Sequence, residues 1–303
     1  MIIYMLDYSA GFYSQLHFAI HYYLGCKLNG VNFMLHSTNW LFKFENGWTD
    51  YFEDNSLIFK QVIPNNEIVY KKHRDTNGDF SLIEYRNIIG EFYRYNKTTK
   101  QAIIDTKIKY NIPEIYDCIF IRRGDKLYWE STYIHSSKYL DLLIKKNPDC
   151  KNVFLQTDDY NCYLELQEYI KEKKYDIQVI TLCDEKNKGG IVVYQENIDN
   201  GLAITQKQNN ETGNYISTVI DNLKESKSVN RMTPYEKYEH TLTMIVGVEI
   251  AIHSNICVCD YSSNVSRFIK LAHDNNEKVY DILNPDLDID MNRTECPAFG
   301  NFR

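Results

Sequence analysis

Short apolar runs alternate with stretches of helical period along most of this chain. Residues 2–6 form an almost wholly apolar run and predict a first buried strand. A turn containing Gly11 follows, and Leu16, Ala19, Ile20, Tyr23 and Leu24 then recur at the 3.6 spacing of a helix. Residues 31–35 predict a second strand, 39–66 are aromatic-rich and irregular, and 82–110 read as two helices broken near Asn96. The Asn111-Ile112-Pro113 turn marks a boundary, because the residue before a proline is pushed out of the helical region. Beyond it the alternation becomes more regular. Runs at 118–121, 153–156, 177–182, 256–259 and 279–283 predict strands, and 138–146, 163–173, 235–252 and 265–273 predict helices. Thr233 followed by Pro234 is a strong start signal for the helix at 235–252. This order implies a parallel, doubly wound sheet. Residues 184–215, with Gly189-Gly190 and many Asn and Gln, read as a long mobile loop or lid.

Length and composition narrow the class. A chain of 303 residues suits two domains, here 1–113 and 114–303, and two domains make a cleft. With 44% hydrophobic and 25% charged residues it is globular, which argues against a disordered, collagen-like or coiled-coil protein. The apolar stretch 244–252 contains Glu249 and is far shorter than the ~20 residues of a membrane helix, and the first residues lack a basic n-region. The expectation is a cytoplasmic protein with no membrane span. A net charge of −7 gives no global attraction to nucleic acid. Eight cysteines without a C-x-x-C read as free thiols in a reducing compartment, and the sequons at Asn96, Asn210, Asn264 and Asn292 as chance.

In an open α/β sheet, ligands bind beyond the carboxyl ends of the strands. Three predicted strand ends carry polar clusters: Arg122-Arg123-Gly124-Asp125-Lys126, Thr157-Asp158-Asp159 and Asp260-Tyr261-Ser262-Ser263-Asn264. Guanidinium forks match phosphate oxygens in a bidentate way, so a diphosphate is the natural partner of Arg122 and Arg123. The bland alternative is an ion-pair network of these arginines with Asp125, Asp158 or Asp159. Ser262, Ser263 and Asn264 precede a helix, where hydroxyls and free first-turn N–H groups accept an anion or simply cap the helix. Asp158 and Asp159 either orient arginines and acceptor hydroxyls or cap the helix starting near Asn161.

With those residues in hand, the chain resembles the α1,6-fucosyltransferases and their nodulation-factor relatives. The similar segments are Gly11-x-x-x-Gln15-Leu16-His17, Ser37-Thr38-Asn39-Trp40, Gly47-Trp48-x-x-x-Phe52, Arg122-Arg123-Gly124-Asp125-Lys126 with Glu130 and Tyr139 downstream, Thr157-Asp158-Asp159, and Ser262-Ser263-Asn264-Val265-Ser266-Arg267. They occur in order over most of the chain. The resemblance implies a GT-B-like fold of two Rossmann-type domains facing across a cleft, and metal-independent transfer of fucose from GDP-fucose to a glycan hydroxyl, with no further cofactor. It implies Arg122 on the β-phosphate, Ser263 and Asn264 near the diphosphate, and Glu130 as base. Asp125 and Tyr139 belong to the donor motif, and Arg123 and Lys126 help hold the leaving GDP. An acid in the helix before the last motif would read guanine, and it falls on Glu249 if a short gap is allowed or on Gly247 if not. Gln15 and His17 are further cleft candidates. Phe120 stands where the family has histidine, and Asn264 where it has glutamine.

Asp286-x-Asp288-x-Asp290-x-Asn292 fails as a calcium loop, which needs glycine sixth and glutamate twelfth where this chain has Met291 and Pro297. No metal site is expected, and the eight histidines form no ligand motif. The competing readings are an α1,2-fucosyltransferase or other GDP-sugar transferase, and a nucleotide-sugar- or glycan-binding protein without catalysis.

Overall fold

A computed structural model describes residues 1–7, 10–58, 68–71, 80–129, 133–194, 196, 199, 221 and 224–297. In the first part of the chain, β1 (Ile2–Met5) is followed by α1 (Phe12–Leu28), β2 (Phe33–His36), β3 (Val69–Lys71), α2 (Leu82–Phe92) and α3 (Lys97–Lys109). β1 lies between β2 and β3 in a parallel sheet. The two helices expected at 82–110 separate because each has its own start. Ser81 and Glu84 form a reciprocal capping box, and the Asn96 side chain accepts the Thr99 N–H at 2.8 Å. β3 carries no sequence signal, being three residues long and half exposed at a sheet edge.

The second part runs β4 (Asp117–Ile121), α4 (Lys126–Trp129), α5 (Ser136–Lys146), β5 (Asn152–Thr157), α6 (Asn161–Lys173), β6 (Gln178–Thr181), β7 (Ile191–Val192), β8 (Lys227–Ser228), α7 (Pro234–Ile252), β9 (Cys257–Cys259), α8 (Asn264–Ala272) and β10 (Val279–Asp281). Its five-stranded sheet has the order β10-β9-β4-β5-β6 and is parallel throughout. The α/β architecture with parallel sheets agrees with the sequence reading. Part of the segment read as a loop is instead β7, which pairs with β8 in a two-stranded ribbon. The chain steps outward from β4 to β6, returns through α7, and steps outward again from β9. The switch point between β4 and β9 is where a doubly wound sheet opens a crevice.

Two cores follow from the period-2 alternation of the strands. Ile119, Ile121, Val153, Leu155 and Val258 face α5 and α6. Cys118, Phe120, Phe154, Cys257 and Cys259 face α7 and α8, and this second core is continuous with the aromatic core of the first part. The chain also crosses back. Leu82 N–H donates to Arg293 O and Ile83 N–H to Met291 O, so residues 291–295 lie against the start of α2. Arg86 on α2 donates to the carbonyls of Leu271, His273 and Asp274 at the end of α8.

The turn leaving β4 is backbone packed on backbone. Gly124 has φ +64°, and a Cβ there would overlap the Ile191 carbonyl of β7. Gly190, at φ +78°, packs in turn on Gly124 N. Gly124→Ala is expected to destabilise the protein by about 1–3 kcal/mol in urea denaturation. A loss below about 0.5 kcal/mol, the ordinary surface range, would sink this account of the turn.

Candidate functional site

Alternation along β4 and β5 separates the paired polar residues beyond each strand, although Thr157 at the end of β5 also reaches the crevice. Phe120 points toward α7, so Arg122 is next in phase on that side, while Arg123 continues the opposite row of Ile119 and Ile121. In β5 the same rule brings Gln156 and Asp158 to the α7 side and Asp159 to the other. Arg122, Gln156 and Asp158 line a pocket with Phe120, closed by Gly11, Phe12 and Phe42 of the first part and by His240 and Met244 of α7.

Arg122 stands between two carboxylates. Its Nη2 is 3.0 Å from Asp125 Oδ1, and its Nε is 3.2 Å from Asp158 Oδ2 outside hydrogen-bond geometry. Asp158 also accepts the backbone N–H of Arg123 at 2.8 Å and of Ile191 at 3.0 Å.

Arg123 is 1% exposed and lies behind the sheet. Its Nη1 and Nη2 donate to the two oxygens of Glu165 at 2.8 and 2.7 Å, and Tyr133 stacks on the guanidinium at 4.4 Å. Burial opposes the charge of Glu165, but Arg123 and then Ser136 hold its carboxyl down at about 2. Asp159 accepts the N–H groups of Asn161 and Gly189 just ahead of α6, and burial pushes its carboxyl up to about 6 against the pull of Arg123. Tyr139 on α5 is 4% exposed in the core behind the sheet. Arg123, Asp159 and Tyr139, expected on the donor, therefore sit in the supporting layer and do not line the pocket.

Beyond β9, Ser263 is the N-cap of α8 yet makes no side-chain cap. The Ser263 hydroxyl and the Asn264 Oδ1 are buried and have no hydrogen-bond partner among the described residues, whereas Ser266 turns into the core against the Cys259 thiol. Ser262 donates its N–H to Asp260, and its carbonyl accepts from Arg267. Lys126 is 8% exposed, and burial, then the Arg122 charge, lowers its pKa to about 7. It also feels Asp125, Arg267 and Asp260, so it lies between the two strand ends. An unpartnered Ser263 hydroxyl at a helix start, in the helix whose Val265 shares the pocket with Arg122, is the chemistry of an anion site.

Other expected residues are engaged elsewhere. Gln15 holds the chain before α1: its Oε1 accepts the Asp7 N–H at 2.9 Å and its Nε2 donates to the Ala10 carbonyl at 2.8 Å. His17 is neutral, lowered to about 4 chiefly by burial, so its Nε2–H donates to the Asn264 carbonyl at 3.0 Å and ties α1 to α8. Trp48 and Phe52 stack at 4.2 Å in the aromatic core. Glu249 accepts from Tyr95 Oη at 2.8 Å and pairs with His253 at 2.9 Å, and it does not line the pocket. Gly247 packs under the Gln156 carboxamide, so neither candidate puts an acid on a base there. Glu130 lies outside the described residues.

Three residues were missed. Gln156 and His240 line the pocket, and Glu165 anchors Arg123. Burial lowers His240 to about 4, with Asp158 and Arg122 acting in opposite senses, so it is neutral at pH 7. Strand phase signalled Gln156, whereas nothing local singles out His240 or Glu165.

No family model matches the chain, and no curated protein matches it. Among solved structures it is similar to NodZ alpha-1,6-fucosyltransferase soaked with GDP-fucose, at 9% identity and a TM-score of 0.47, over 94% of this chain and 96% of that one. No helix among the described residues is long and apolar enough to cross a membrane.

Glu165→Ala removes the hydrogen-bonded carboxylate of buried Arg123 and leaves only Asp159, 3.6 Å from its Nη1, as counter-charge, and the expected loss in chemical denaturation is about 3–5 kcal/mol. An unchanged midpoint would show that the pair does not hold this layer. A second expectation concerns pH. Hydrogen bonds to Glu249 and Asp274 raise His253 from 6.5 to about 9 against the effect of burial. Its contribution to stability is fully present below pH 6.5 and is lost as pH rises through 9. Denaturation midpoints between pH 6 and 10 should fall in the wild type, and His253→Gln should remove that part of the fall; superimposable profiles would refute the linkage.

Proposed function

We propose that this chain is a metal-independent, inverting fucosyltransferase that moves L-fucose from GDP-fucose to a glycan hydroxyl. The observation that carries the reading is the placement of Arg122 on the pocket face of a sheet switch point, in a pocket that Val265 of α8 also lines, with the adjacent Ser263 hydroxyl and Asn264 Oδ1 at the start of that helix buried and unpartnered among the described residues. The ordered motifs that resemble the α1,6-fucosyltransferases add the donor's identity.

Transfer requires charge stabilisation on the departing diphosphate and removal of a proton from the attacking hydroxyl. The acceptor oxygen attacks the anomeric carbon as its bond to the β-phosphate oxygen breaks, and the electron pair leaves with GDP. Arg122 and Lys126 meet that charge, with Ser263 and Asn264 hydrogen-bonding the phosphates. Glu130 takes the acceptor proton, so no covalent enzyme intermediate is needed. Arg123, Asp159 and Glu165 keep Arg122 in place from behind.

GDP and GDP-fucose are expected to raise the melting temperature in the presence of EDTA, because a ligand bound only by the native state stabilises it. Equal shifts with UDP, or shifts that vanish with chelator, would defeat the reading. Arg122→Ala should weaken GDP binding by roughly 30- to 700-fold, the equivalent of 2–4 kcal/mol for a desolvated charged contact. Glu130→Gln should leave GDP affinity unchanged and slow transfer by roughly 10²–10⁴-fold. A wild type that binds GDP-fucose and transfers to no glycan in a broad panel would instead mark a binding protein.

A further inference from the structure

We infer that Gln156 is the group that reads the base of the nucleotide donor, through the N1–H and O6 edge of guanine and without engaging the 2-amino group. The inference rests on the donor reading above and deepens it.

Gln156 pairs in register with Phe120, one residue short of the end of β5, and is 7% exposed. Its side chain lines the pocket. Among the described residues nothing hydrogen-bonds its carboxamide, whereas most of its polar neighbours at the strand ends are committed. Thr157 Oγ is tied to Asp159, and Asp158 is occupied by Arg122 and two backbone N–H groups. The Gln156 oxygen and nitrogen are not sealed from the pocket, so a carboxamide without a protein partner is left available to pair with a ligand there. Gly247 makes this placement possible. A Cβ on α7 at that point would overlap the Gln156 amide, so a bare helix backbone lets the side chain lie across the pocket floor.

The surroundings suit a planar base. Phe12, Phe42 and Phe120 supply apolar wall, and Asp158 is the only acid among the described lining residues. A carboxylate accepts from both N1–H and the 2-amino group of guanine. A carboxamide has one acceptor and one donor side by side, which matches N1–H and O6 and leaves the 2-amino group unread. Inosine diphosphate, which lacks only that amino group, is then as good a ligand as GDP.

The test is calorimetric titration of GDP, inosine diphosphate and inorganic pyrophosphate into wild type, Gln156→Leu and Gln156→Glu. Wild type should bind the two nucleotides within about threefold of each other. Gln156→Leu should weaken both by roughly 10- to 100-fold and leave pyrophosphate affinity as it was, which also reports an intact fold. Gln156→Glu, with two acceptors, should favour GDP over inosine diphosphate by roughly tenfold. A wild-type preference of that size for GDP, or GDP affinity untouched in Gln156→Leu, overturns the role of Gln156 while leaving the donor reading standing. Failure of wild type to bind either nucleotide overturns the donor reading, and this inference with it.

Discussion

The carboxylate of Asp158 joins three pieces of chain. It accepts the Arg123 N–H leaving β4 and the Ile191 N–H of β7, and it faces the Arg122 guanidinium at 3.2 Å. Hydrogen bonds to a charged acceptor are worth about 1.5–3 kcal/mol each when partly desolvated, so this one side chain fixes the turn after β4 against the ribbon of β7 and β8. The close packing of Gly124 on Gly190 is the steric counterpart of the same junction. With that turn immobilised, Arg122 has its backbone, its Nε side and, through Asp125, its Nη2 defined before any ligand arrives.

Much of this was legible because strands impose a two-residue period. Five apolar runs alternating with helical patterns were enough to place the second sheet and its polar strand ends. The same period, carried one residue beyond each strand, separates Arg122 from Arg123 and Asp158 from Asp159. Sequence reading took each pair as a unit. The structure shows one member of each in the pocket and the other buried behind it, since a buried sheet has two faces and adjacent residues cannot share one. Asp159 bonds the chain ahead of α6, through the Asn161 and Gly189 N–H groups.

What was not legible depends on partners distant in sequence. Glu165 is one of several charged residues on α6, and only the arrival of Arg123 from 42 positions earlier makes it a buried counterion. The ribbon of β7 and β8 has two-residue strands, too short for any periodic signal. Glu249 meets the expected position only when a short gap is allowed, and the helical turn directs it toward Tyr95 and His253 at the contact between α7 and the first part of the chain. The motifs at Gln15, Trp48 and Phe52 mark the positions that hold the first part together, so a resemblance carried by them bears on architecture more than on chemistry.

The balance of charge at the pocket sets how an anion is taken up. Arg122 is compensated by Asp125 and Asp158, and Lys126 has a pKa near its neutral point, about 7, because burial and Arg122 both resist its protonation. Burial and the neighbouring guanidinium thus lower the positive charge that Lys126 adds beside Arg122 near neutral pH. Under the proposed reading, a diphosphate exchanges with Asp125 for one face of Arg122 and restores the protonated form of Lys126, since a nearby negative charge raises an amine's pKa. A site of this kind holds its guanidinium by carboxylates it can give up and by backbone contacts it cannot, which is the division of labour between Asp125 and Asp158.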